Sequence, residues 1–380
     1  MNYFIKSDKI LTGGRIFDGY IEIADGLIVN ISENCEKDTE IIDCTGKYVL
    51  PGFVEIHTHG AGGHPFLTED EKTVASACDY HLKHGTTTIL PTLSASPFEV
   101  MKKGVVAIKG ARDKGLSKAR IIGAHLEGPY LSPKQCGAQC PTHITEPKPE
   151  DYTALIEELG DAVARWTYAP ERDDGSFAKY LTERGIIASA GHTDAVGEDM
   201  KRAEVNGMNL VTHLYSCTST VTRNMGFRSL GVIESTFLSD GITAEIIADG
   251  KHLPVDLVKM IIKIKGADKV IAVTDSLEIA GTDIKSGNMA GTDFIVEDGV
   301  CKLADRTAFA GSVATSDVLL RFLVSECGVT LADAVKMLCE NPAKMIGINV
   351  GKIDTGYYAD LVMLDNTLSV TDVFVGGSRV

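Results

Sequence analysis

The first 50 residues alternate short β-rich runs with turn residues: Lys9-Ile-Leu, Asp18-Gly19, Tyr20-Ile-Glu-Ile, Asp25-Gly26 and Leu27-Ile-Val. Asp-Gly pairs between such runs predict hairpins. The pattern changes after Pro51-Gly52. From there, continuous apolar runs near 53–57, 86–91, 121–127, 165–170, 186–191, 210–214, 243–248 and 270–275 alternate with segments of helical period such as 69–84, 97–110, 174–184, 196–206 and 254–264. Uninterrupted apolar strands separated by helices are the mark of parallel βα units, because both faces of such strands are covered. Eight units predict an α/β chain built on a TIM-type (β/α)8 barrel over residues 52–349.

After the eighth run come a β-like insertion at 294–299 and two helical stretches at 315–326 and 331–340, and residues 358–380 return to short strands. Neither terminal β segment is long enough to bury a core alone. The expected solution pairs residues 1–51 with 350–380 in one small β-sandwich domain.

Composition narrows the partners. With 380 residues, 44% of them hydrophobic and 23% charged, the chain has the makings of a folded core. Lys and Arg number 37 against 52 Asp and Glu, a net charge of −15. Such a balance disfavours nucleic acid and anionic membranes, which both need a positive surface. An anionic ligand must then be held by a local cluster. Nine scattered cysteines, no apolar run of about 18 residues and no export signal after Met1 predict reduced thiols in the cytoplasm.

The chemistry-bearing residues sit where strands are expected to end. His57 and His59 are two apart on the first barrel strand, so both imidazoles face one side, above the barrel mouth. Glu127, His192 and His213 take the corresponding places on strands three, five and six. Singly, each reads first as a satisfied core or capping residue. As a set, they suit zinc or another divalent transition metal. Asp275 ends strand eight, placed to take a proton from water and return it to a leaving group, or else to cap the segment after the strand. His252, after strand seven, suits substrate binding. The chain lacks a phosphate-binding P-loop, a dinucleotide fingerprint and a serine nucleophile elbow, and Cys136-x3-Cys140 has no second cysteine pair to complete a zinc site.

Pro51-Gly-Phe-Val-Glu-Ile-His-Thr-His-Gly60 resembles the opening of the amidohydrolase superfamily. Gly123-Ala-His-Leu-Glu-Gly-Pro-Tyr130, Gly137-Ala138, Gly191-His-Thr-Asp194, Thr212-His-Leu-Tyr215, Ile247-Ala-Asp-Gly-Lys-His252, Val273-Thr-Asp275 and Ala310-Gly-Ser312 come in the order found in its N-acetylglucosamine-6-phosphate deacetylase family. The resemblance implies a homodimeric deacetylase of an amino-sugar 6-phosphate, with Glu127, His192 and His213 on the main metal and Asp275 as acid/base. That metal is zinc first, with iron, cobalt or manganese as alternatives. Some members carry Gln-x-Asn where this chain has His57 and His59, so one or two ions are open here.

Substrate contacts implied by the same resemblance are Gly137, Ala138, the segment Ser216-Cys217, His252, and Phe309, Ala310 and Gly311. The family commonly reads Asn-Ala-Met where this chain has Ser216-Cys217-Thr218; Ser216 still offers a hydroxyl, and a contact through the Cys217 N–H ignores the side chain. An arginine that reaches the neighbouring subunit's phosphate corresponds to Arg223 or Arg228. The galactosamine epimer, another amide hydrolase, or a non-catalytic amino-sugar-phosphate sensor are the alternatives. Hydrolases with a carboxylated lysine on strand four would need a lysine where this chain has Tyr168-Ala-Pro170.

Overall fold

Parallel strands form in chain order at Phe53–Thr58, Thr86–Ser94, Ala124–Glu127, Val163–Tyr168, Ile187–Ala190, Leu210–Val211, Thr243–Ile247 and Val270–Val273. They are the eight expected apolar runs, and each pairs with its neighbour in parallel register from the first through the eighth. The computed structural model describes residues 2–35, 40–289 and 292–380. The eighth strand meets the first at the mouth, where Asp275 donates its N–H to the His57 carbonyl at 2.9 Å and His59 donates to that of Ser276 at 2.7 Å. Just below, buried Glu55 spans the same seam by accepting the N–H groups of His57 and Thr274, each at 2.9 Å. Burial pushes the Glu55 pKa up to about 7 against these donors.

The third run is divided. Arg120–Ile121 and Ala124–Glu127 are separate strands, where one strand over 121–127 was expected. Gly123 lies at the break, and a Cβ there would stand 2.9 Å from the Ala162 carbonyl oxygen. The chains approach too closely for any larger residue.

Helices Glu71–Lys83, Phe98–Asp113, Ser176–Thr182, Gly197–Val205 and Val255–Lys265 fall where helical period was read. Two more follow strands three and six, and Ser316–Arg321 follows strand eight. Pro149–Leu159 buries Tyr152, Leu155, Ile156 and Leu159 on one face, and Val232–Leu238 is a seven-residue helix that buries Val232, Ile233 and Thr236. Among the described residues, no helix is long and apolar enough to cross a membrane.

The chain ends pair as expected. Tyr48–Pro51 runs antiparallel to Leu361–Leu364, joining N- and C-terminal strands in one eight-stranded mixed sheet. Its own apolar cluster includes Ile5, Ile21, Leu361 and Phe374. Asp18-Gly19 is not a turn, contrary to the reading from sequence. It lies inside Arg15–Ala24, and the chain reverses at Gly13-Gly14 instead. The register between Asn2–Thr12 and Arg15–Ala24 shifts between Ser7 and Ile10, a bulge that absorbs the extra residue.

The insertion after strand eight is a four-stranded antiparallel sheet, Ser286–Met289, Thr292–Glu297, Val300–Leu303 and Phe309–Gly311. Its last strand reaches the barrel mouth, where Ser312 donates its N–H to the Asp275 carbonyl at 2.9 Å.

Candidate active site

The five side chains expected to hold metal converge at the C-terminal mouth of the barrel. Glu127 Oε1 lies 3.0 Å from His213 Nε2, 3.2 Å from His192 Nε2 and 3.4 Å from His57 Nε2. Its other oxygen is 3.2 Å from His59 Nε2. Asp275 Oδ1 closes the far side, 3.3 Å from His59 and 3.4 Å from His57. Donor atoms lie within 4.8 Å of one another in two groups, His57 with Glu127 and His213, and His57 with His59 and Asp275. His57 belongs to both. The sequence reading set it with His59 in a second site beside Glu127.

Three of these residues share an unusual backbone. His192, His213 and Asp275 each stand two positions beyond the end of a strand, with φ of 47°, 29° and 47°. The left-handed region is unfavourable for residues with a Cβ, so neighbouring contacts must hold it. For His192, the Ser132 N–H donates to its carbonyl at 2.8 Å, while Glu171 takes the Thr193 hydroxyl and, at 2.7 Å, the Asp194 N–H. For His213, the backbone N–H reaches Glu245 Oε1 at 3.2 Å. For Asp275, the bonds to His57 and Ser312 serve.

A metal-binding imidazole is oriented through its second nitrogen, and three of the four here are held in that way. His57 Nδ1 faces Glu245 Oε1 at 2.8 Å, His59 Nδ1 faces Ser94 Oγ at 3.0 Å, and His192 Nδ1 faces the Gln135 carbonyl at 2.9 Å. His57 Nε2 and His213 Nδ1 are buried without a hydrogen-bond partner. Buried, unpartnered imidazole nitrogen beside inward-facing carboxylates is a donor set that fits a divalent transition metal.

Electrostatics agree. Burial alone would favour neutral imidazoles, but the Glu127, Asp275 and Glu245 carboxylates overcome it and lift the His57 pKa to about 10. Asp275 and Glu127 likewise raise His59, against burial, to about 9. The field that keeps protons on these rings also attracts a cation. Burial works against the charge of Glu245 too, yet Arg165 and His57 hold its pKa down at about 2.

A cavity of about 300 Å³ opens over the cluster, at the small end of the range for ligand pockets. Of the expected substrate residues, Ala138, Ser216, Cys217, His252 and the strand Phe309-Ala310-Gly311 line it. His252 is oriented by Asp249 Oδ2 at 2.8 Å, with its ring 5.0 Å from that of Phe309. Gly137 stands just behind, so close to Cys217 that a Cβ on it would lie 2.5 Å from Sγ. Arg223 and Arg228 are not in the cavity. They face each other across an exposed hairpin, Thr222–Asn224 with Phe227–Ser229. Among the described residues, the lining contains neither lysine nor arginine.

Four participants escaped the sequence reading. Ser94 ends the second barrel strand, the same position rule that exposed the others. Gln139 comes directly after Gly137-Ala138 and reaches Glu127. Arg165 and Glu245, fully buried inside the barrel, support His57 from below.

A model of the amidohydrolase family matches residues 48–380. The chain belongs to the amidohydrolase family. Among amidohydrolase relatives, an N-acetylglucosamine-6-phosphate deacetylase of Haemophilus influenzae is 31% identical over 385 residues and covers 99% of each chain. An N-acetylgalactosamine-6-phosphate deacetylase of a Shewanella species is 30% identical over 97% of this chain and 93% of its own. The structure of a Mycobacterium smegmatis N-acetyl-D-glucosamine-6-phosphate deacetylase variant in complex with N-acetyl-D-glucosamine-6-phosphate superposes with a TM-score of 0.92. At 29% identity it covers 100% of this amidohydrolase and 99% of the other chain.

Proposed function

We propose that this amidohydrolase deacetylates N-acetylglucosamine-6-phosphate, giving glucosamine-6-phosphate and acetate in amino-sugar breakdown. The observation that carries the reading is the placement of Asp275 beside the Glu127 and histidine cluster at the floor of a sugar-sized cavity, in a chain similar along its whole length to enzymes of that name. Glu127, His192 and His213 would hold the main divalent ion, zinc first, with His57 and His59 offering a second position. When bound, such an ion supplies Lewis acidity, which polarises an acyl carbonyl and brings the pKa of water toward about 7.

The residues do the rest. Asp275 is oriented by its backbone bonds so that Oδ1 faces the cluster from the cavity side. It accepts the proton of the attacking water and delivers it to the amide nitrogen, which cannot depart as an anion. His252, the Ser216-Cys217 segment and Phe309-Ala310-Gly311 position the sugar. With no arginine or lysine in the lining, the phosphate calls for a cation from outside, and Arg223 or Arg228 on the exposed hairpin of a partner subunit would supply it.

In this reading residues 52–349 are the catalytic barrel, and 1–51 with 350–380 are the accessory domain, a sheet folded over as a sandwich. The enzyme works as a cytoplasmic homodimer. The name of the Shewanella relative favours one second reading, the galactosamine epimer. Turnover of both N-acetylated hexosamine 6-phosphates and of the unphosphorylated sugars, with divalent metal supplied and then chelated, tests the proposal. Release of acetate from N-acetylglucosamine-6-phosphate should dominate and should stop with chelation. A preference for the galactosamine ester would establish the second reading, and full activity in metal-free protein would remove the mechanism.

A further inference from the structure

Below the mouth, the interior of the barrel is polar where an apolar filling would be ordinary. Starting at strand two, Thr92 Oγ1 lies 3.0 Å from His125 Nδ1, and His125 Nε2 lies 2.7 Å from Thr167 Oγ1. Thr167 and Ser189 both reach Thr212 Oγ1, at 2.9 and 2.7 Å. Arg165, fully buried on strand four, donates to Thr212 Oγ1 at 2.8 Å, to Ser189 Oγ at 3.2 Å and to the Ile56 carbonyl at 3.1 Å, and pairs with Glu245 on strand seven. Glu245 in turn meets the His57 ring and the His213 backbone.

We infer that Glu245, anchored by Arg165, is the positioning residue for His57: it fixes the ring with Nδ1 protonated and Nε2 turned to the ion site. The inference rests on the metal reading proposed above. Three observations carry it. First, Glu245 Oε1 serves two members of the cluster at once, the His57 ring at 2.8 Å and the His213 N–H at 3.2 Å, so one carboxylate sets the spacing between strands one and six. Second, with Nδ1 engaged, His57 Nε2 is left buried and unpartnered, 3.4 Å from an oxygen of Glu127 and from one of Asp275. That nitrogen faces the centre that both donor groups share. Third, neither Arg165 nor Glu245 lines the cavity, so neither is there to touch substrate.

The ion pair has no evident stabilising purpose of its own. A buried Arg–Glu pair is often no better for stability than well-packed apolar residues, whereas removing one partner is strongly destabilising. Its place in this barrel is accounted for by the ligand it orients. A partner carboxylate on the far nitrogen of a metal-binding histidine typically governs affinity by 10- to 100-fold.

The test compares the parent with Glu245→Gln and with the double variant Arg165→Gln/Glu245→Gln, which leaves no lone buried charge. Zn2+ affinity is measured by equilibrium dialysis against a competing chelator. Both variants should bind Zn2+ at least ten-fold more weakly, with KM for substrate within about three-fold of the parent at saturating Zn2+. Affinity within about three-fold of the parent in either folded variant overturns the assignment. A parent that binds no Zn2+ would instead overturn the metal reading itself. Should neither variant fold, nitrogen NMR of the histidine rings in the Zn2+-loaded parent decides: a neutral His57 ring with its proton on Nδ1 supports the assignment, and one with its proton on Nε2 overturns it.

Discussion

The carboxamide nitrogen of Gln139 donates to Glu127 Oε2 at 2.6 Å, while the oxygen of the same group accepts the Ala95 N–H at 2.9 Å. Ala95 comes directly after barrel strand two, so one carboxamide ties the loop after strand three to the end of strand two and, through its nitrogen, to the carboxylate expected to carry the main ion. Gln139→Ala should lower metal retention about ten-fold. Gln139→Glu, which keeps the reach but sets a like charge beside Glu127, should alter it in a different way and lose more activity. Dialysis and turnover measured together check this, and unchanged retention in the alanine variant would make the contact incidental.

Asp275 separates chemistry from binding. Asp275→Asn keeps the shape but removes the basic oxygen, so kcat should fall at least 100-fold, the lower range for acid–base catalysis. KM should stay close to the parent value. The comparison must use protein with matched metal content. Activity within about three-fold of the parent would mean that the proton takes another route.

Arg223 and Arg228 pair across the exposed hairpin and do not line their own cavity, and in the proposed dimer one of them would meet the phosphate bound by the other subunit. Replacing the arginine that meets phosphate should raise KM by about ten-fold or more, given about 1.5–3 kcal/mol for a charge-assisted bond. The other substitution should do little. Mixed dimers of an Arg variant and a catalytically dead subunit would reveal donation between subunits through the activity they recover, and a strictly monomeric active enzyme would end the idea.

A pH effect is expected far from the mouth. Asp317 is held by His84 Nδ1 at 3.3 Å, Thr315 Oγ1 at 2.6 Å and Arg321 Nη1 at 2.9 Å. Burial opposes its charge, but these partners bring its pKa down to about 2 from the ordinary 3.8. A carboxylate depressed in the folded state stabilises it above the unfolded pKa, and that contribution fades as pH falls from about 4 toward 2. It is worth about 2 kcal/mol at neutral pH. In urea unfolding with chelator present, Asp317→Asn should differ from the parent by that order at about pH 7 and by clearly less at about pH 3. A gap independent of pH would assign the loss to packing.

Much of this was legible in the chain because strand ends are legible. Apolar runs followed by Glu127, His192, His213 or Asp275 announce both the strand and the direction in which its last side chain looks. His57 needed only its spacing from His59. The hidden part depends on contacts across the barrel. Arg165 sits in Val163-Ala-Arg-Trp-Thr-Tyr168, where a charged residue ordinarily marks a solvent-facing position, and only the arrival of Glu245 from strand seven explains its burial. Gln139 is one polar residue in a loop of many until Ala95 and Glu127 give it two partners. Asp18-Gly19 carries turn chemistry, yet it stays within a strand because Asn2–Thr12 pairs alongside it, with a bulge between Ser7 and Ile10 taking up the extra residue.

The left-handed backbone at His192, His213 and Asp275 has a bearing on engineering. Such positions cost a fold about 1–3 kcal/mol each, and glycine enters that region without the penalty. Glycine at any of the three would thus relax the metal-free chain while deleting a donor or the proton carrier. A campaign that ranked variants by melting temperature alone would be drawn toward these substitutions and would return sturdier, inert barrels. Heat resistance for this enzyme is better sought in the terminal sheet and the outer helices, with acetate release scored alongside unfolding from the first round.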